Sequence, residues 1–91
     1  MESRVYLGTV EEVTAAGELV NHQKNKFCVG EAIEVMAFDG ENVDVEVLAI
    51  HDEHGTEMES APHPKQLLCV KVSNSEKIRK GMIIRTRHCA A

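Results

Sequence analysis

Between residues 43 and 49 apolar and acidic side chains alternate without a break. Val43, Val45, Val47 and Ala49 fall on one side and Asp44 and Glu46 on the other, which only a period of two achieves. Residues 32–38 repeat the pattern with Ile33, Val35 and Ala37, and residues 66–72 with Leu68, Val70 and Val72. Asp39-Gly40 between the first two runs is a strong hairpin signal, because glycine accepts positive φ at little steric cost. Residues 5–13 read as a first strand, in which Gly8 marks a bulge or the close approach of another backbone. Residues 18–23 and 82–87 complete about six strands, punctuated by glycines. No segment shows the i, i+3, i+4 spacing of an amphipathic helix, and residues 75–80 hold at most one helical turn. The expected fold is all-β: a small antiparallel barrel or sandwich of about six strands.

The length of 91 residues allows one core, so the expectation is a single domain over residues 1–91. Apolar residues make up 43% of the chain and charged residues 27%, as in proteins that fold. No apolar run is long enough for a membrane-spanning helix, and residues 1–10 lack the features of a secretory signal. No membrane partner is expected, and the expected compartment is the cytoplasm. Cys28, Cys69 and Cys89 are odd in number with no close pair, which speaks against a disulfide framework or a four-thiolate zinc site. Cys28 and Cys69 stand among apolar strand residues and read as small buried hydrophobes.

Charge changes this picture, because it is sorted along the chain beneath the net value of -5. Residues 27–64 carry ten acids and no Lys or Arg. Beyond them Lys65, Lys71, Lys77, Arg79, Lys80, Arg85 and Arg87 face only Glu76. Two accounts stay open. Acidic and basic strands can lie side by side as cross-strand pairs, or a basic face is left for an acidic partner.

Four groups invite a chemical reading. His51-Asp52-Glu53-His54 has a spacing that can set two imidazoles around one metal ion, with His63 as a distant third ligand, but Gly55 makes the segment a turn whose side chains diverge. Ser60 or Cys69 can be drawn beside His63 as a nucleophilic dyad, without the strand-elbow-helix context such a site needs. Pro62 and Pro64 stiffen Ala61-Pro62-His63-Pro64, as a docking edge or as a lid over one end of the barrel. Lys77, Arg79 and Lys80, with Arg85 and Arg87 on the last strand, form the dense basic group. Single-strand RNA binding asks for aromatic platforms as well, and the chain has only Tyr6, Phe27 and Phe38. The overall acidity also opposes nonspecific nucleic-acid binding. The candidate partner-binding residues are therefore Pro62, His63, Pro64, Lys77, Arg79, Lys80 and Arg85, with no catalytic residue, metal or cofactor.

Asn25-Lys26-Phe27-Cys28-Val29-Gly30-Glu31, Asp39-Gly40-Glu41-Asn42, His51-Asp52-Glu53-His54-Gly55 and Ala61-Pro62-His63-Pro64-Lys65-Gln66 together resemble the C-terminal domain of the collagenase-like proteins of peptidase family U32. The resemblance spans nearly the whole chain, and Ala61-Pro62-His63-Pro64 after an acidic turn is its most specific element. It implies a β-barrel similar to the second domain of elongation factor Tu, appended to a separate catalytic domain. Family members are described as peptidases acting on collagen-like substrates, and some take part in hydroxylating RNA bases. Neither chemistry is attributed to the barrel. His51 and His54 stand where the family has an aromatic and an acid, so no metal or catalytic role carries over onto them.

The expectation is a noncatalytic accessory domain that positions a protein or peptide substrate, or a partner, for its own catalytic domain, which lies outside this chain. The alternatives are a barrel that contacts RNA and a purely structural module between domains or subunits.

Overall fold

A computed structural model describes residues 5–60 and 65–86. The strands are β1 (Tyr6–Thr9), β2 (Glu12–Val13), β3 (Glu18–His22), β4 (Ala32–Met36), β5 (Asn42–Asp52), β6 (Glu57–Met58), β7 (Leu67–Val72) and β8 (Ile83–Thr86). One turn of 3-10 helix at Ser75–Lys77 precedes β8. Every strand pairing is antiparallel, in the order β1-β8-β4-β5-β7-β3-β2, with β6 added beside β5.

The alternating positions chose the buried face as expected. Val43, Val45 and Val47 point inward with Ile33, Val35, Leu68, Val70 and Val72, and all are buried. Leu7, Leu19 and Ile50 fill the centre. Each fully buried side chain of this size contributes about 1.5–3 kcal/mol relative to exposure.

Eight strands replace the expected six because the first breaks in two and the acidic segment contributes one more. At Val10 the chain changes partners: Val10 N–H donates to the carbonyl of Met82, just before β8, while Glu11 N–H donates to the Val20 carbonyl of β3. The two ends of the strand order, β1 and β2, are thus joined by this bend. The sheet curls around its core without closing into an unbroken hydrogen-bonded barrel.

Gly8 is both of the things its position suggested. The register between β1 and β8 shifts between Tyr6 and Gly8, which is a bulge. A β-carbon on Gly8, at φ 147°, would also lie 2.8 Å from the His22 carbonyl oxygen and 2.9 Å from Asn21 Nδ2. β4 stops at Met36, short of the expected residue 38, because Ala37 to Glu41 form the hairpin turn. Ala37 N–H donates to the Glu41 carbonyl, and Gly40 takes φ 88°. Phe38 therefore sits at the hairpin tip.

β5 runs three residues past its expected end and takes His51 and Asp52 out of the turn assigned to them. It also carries a bulge. Val47 pairs with Val72 and Ala49 with Lys71, so Leu48 is an extra residue. Inward alternation resumes at Ile50, and Ala49 is turned from the core to the half-exposed face.

Candidate functional site

The dense basic group divides in the fold. Arg85 lies on β8 directly opposite Glu34 of β4, and its Nε donates to Glu34 Oε1 at 2.7 Å. The other Glu34 oxygen accepts from Asn42 Nδ2 at 3.3 Å. Glu34 is buried, so this pair acts within the sheet. Lys71 likewise stands opposite Glu18 across β7 and β3. Cross-strand neutralisation therefore accounts for Arg85, whereas Lys71 and Glu18 make no ion pair among the described residues. Lys77, Arg79 and Lys80 lie in the connection before β8, all exposed, with no ion pair among the described residues.

The hairpin tip supplies what the sequence reading found missing near these cations. Phe38, 92% exposed, lines a recess of about 260 Å³ with Arg79, Lys80, Ala37, Asp39 and Met82. Its ring edge leans over Gly81. An aromatic face and two cations, more than forty positions apart in the chain, thus share one surface.

A second surface lies on the outside of β5 and β6. Leu48, Val29 and Met58 line a depression of about 400 Å³ with Ala49, Glu57 and Glu59. Cys28, Val29, Glu59 and Ser60 line an adjoining one. Leu48 was legible as a candidate, since it falls in the outward phase of Asp44 and Glu46. Val29 was not, because its exposure depends on how the 28–30 loop crosses the sheet.

His51 and His54 do not converge. His51 Nδ1 lies 3.4 Å from Glu18 Oε2 across the sheet, while His54 is exposed in the turn with Nε2 3.6 Å from Glu53 Oε1. The N–H groups of Thr56 and His54 bind the Asp52 carboxylate, and the Thr56 bond foremost holds its pKa below the usual value. No group of three metal-binding side chains occurs among the described residues.

His51 stands opposite Cys69 on the outer face, a neighbour the sequence reading did not offer. Thiol, imidazole and carboxylate then follow one another as in an activated nucleophile. The chemistry runs the other way. Burial, with the Glu18 charge adding to it, pushes the Cys69 thiol up, so the protonated form dominates where a nucleophile needs thiolate. Cys69 and Cys28 are half-buried on outward-facing positions, which corrects the expectation that both are buried in the core. The backbones of Ser60 and Cys28 pair in an isolated antiparallel β-bridge. Pro62, His63, Pro64, Arg87 and Cys89 lie outside the described residues.

The family model for the peptidase family U32 C-terminal domain matches residues 2–85. Two crystal structures of the C-terminal domain of a Geobacillus thermoleovorans protein assigned to the U32 peptidases share the fold at 27% identity. One superposes with a TM-score of 0.68, covering 93% of this chain and 90% of that one. Its selenomethionine variant superposes at 0.67, covering 94% and 99%. No curated protein matches the chain.

Proposed function

The chain belongs to the peptidase family U32 C-terminal domain family, and from that premise we propose that it is a noncatalytic accessory module, which positions a substrate or partner for a separate catalytic domain. The observation that carries this reading is the exposure of large apolar side chains on shaped outer surfaces, Phe38 at 92% and Leu48 at 46%. Such side chains gain nothing in water and are stabilised by contact with a partner. Burial pushes the Cys69 thiol up, which speaks against its use as a nucleophile beside His51. The unbridged, half-exposed thiols favour a reducing compartment such as the cytoplasm. The purified chain is expected to leave gelatin and a peptide library uncut. Cleavage that persists through purification overturns the reading.

One observation favours a second reading, RNA contact through the Phe38 recess. A base stacked on Phe38 would leave its phosphates within reach of Arg79 and Lys80, with Lys77 adding charge nearby. A labelled oligouridine is expected to bind at low salt, with Phe38→Ala weakening it about tenfold. Reversing charge at Lys77, Arg79 and Lys80 should abolish binding. No binding at low salt, or binding that survives the reversal, removes this reading.

A further inference from the structure

We propose that the depression around Val29, Leu48 and Met58 is a docking groove for a segment of a partner protein, in which one or two aliphatic side chains stand between lysines or arginines. This deepens the accessory reading and rests on it.

The apolar floor comes first. Val29 and Leu48 are 41% and 46% exposed, and Met58 packs beneath them against the core. Strand alternation sends Leu48 outward in the phase of Asp44 and Glu46, and the bulge turns Ala49 out beside it. Two successive apolar residues are thereby presented on the same outer surface. Bulges re-aim side chains in this way.

The groove is also preformed. Val29 N–H donates to the Glu59 carbonyl at 2.8 Å, Gly30 N–H to the Val47 carbonyl at 2.8 Å, and Val47 N–H to the Glu31 carbonyl at 3.0 Å. These bonds stitch the 28–30 loop to both β5 and the segment after β6. Less ordering entropy is then lost when a partner binds.

The rim selects the occupant. Glu57 and Glu59 line the depression, both exposed and without an ion pair among the described residues. Lys71 stands opposite Ala49 and faces Glu18 on its other side without an ion pair among the described residues, so it offsets part of the rim charge and leaves the two carboxylates in excess. Residues 27–64 contribute no Lys or Arg to neutralise the rim. Phosphate-bearing partners are repelled by these carboxylates, whereas a basic segment with aliphatic anchors satisfies both floor and rim.

The probe is a short labelled peptide in which leucines alternate with lysines, compared with versions carrying serine for leucine or glutamate for lysine. The leucine–lysine peptide is expected to bind and to shift the backbone amide resonances of Val29, Leu48, Ala49 and Met58. Leu48→Ser, at an exposed position, should leave unfolding unchanged and lower affinity about tenfold. The Glu57→Lys, Glu59→Lys variant should lose this peptide and gain the leucine–glutamate one. Equal binding of the serine peptide, or resonance shifts centred elsewhere, overturns the groove. Concentration-dependent self-association that Leu48→Ser abolishes assigns the groove to a second copy and overturns the basic partner. Failure here leaves the accessory reading in place, since the gelatin assay decides that separately.

Discussion

Gly8→Ala is expected to lower the unfolding free energy by roughly 3–5 kcal/mol, combining backbone strain with overpacking. Two independent obstacles meet at this position. A φ of 147° is one that side-chain-bearing residues rarely adopt, and the new β-carbon would stand 2.8 Å from the His22 carbonyl oxygen. That oxygen is backbone and cannot rotate aside. The side chain of Asn21, 2.9 Å away at Nδ2, is buried on all sides, so it has little room to turn aside. Relief requires β1 and β3 to separate where the sheet curls back on itself. Domains of this size have total stabilities of about 5–15 kcal/mol, so the variant should unfold at a far lower urea concentration. A urea midpoint equal to that of the unchanged chain would show that β1 does not approach β3 this closely.

The second large effect is expected at Arg85. Arg85→Ala removes the cation 2.7 Å from a carboxylate that is itself only 5% exposed. An unpaired buried charge of this kind costs about 3–5 kcal/mol. Asn42, the other partner of Glu34, is a neutral donor and does not replace the lost charge. The paired variant Glu34→Leu, Arg85→Met is expected to recover most of the loss, because apolar side chains of similar volume need no counter-charge. Asn42 is exposed and can turn its amide to water. Urea unfolding of the single and double variants measures the coupling. If Arg85→Ala is as stable as the unchanged chain, the pair contributes nothing, and Arg85 is available for a ligand after all.

The two corrections to the strand boundaries share a cause. Residues 5–13 look continuous because no turn signal separates Thr9 from Glu12, yet the chain exchanges β8 for β3 at Val10, and local composition carries no record of partner identity. His51 and Asp52 read as part of a turn because Gly55 follows closely, whereas pairing to β6 and β7 holds them in strand. The outward Leu48 was readable from its phase. Its bulge was not, since an extra residue is defined only against a neighbouring strand.

The basic group shows the same boundary between chain and fold. Seven cations after residue 64 are plain in the sequence, but which are neutralised depends on register. Glu34 meets Arg85 across fifty-one positions, and Phe38 meets Arg79 and Lys80 through a turn tip. His51 likewise met Cys69 and Glu18, in place of His54.

Local alternation and turn chemistry, both written within a few residues, determined that the chain is all-β, which valines, leucines and isoleucines of residues 33–35, 43–47 and 68–72 enter the core, and where the Asp39-Gly40 hairpin lies. Tertiary structure alone decided that the sheet curls without closing, that Arg85 is held by a buried acid, and that Phe38 and Leu48 become surfaces. The physical reason is range: side-chain phase is set by the chain's own backbone, while neighbours across a sheet are set by which strands pair and in what register.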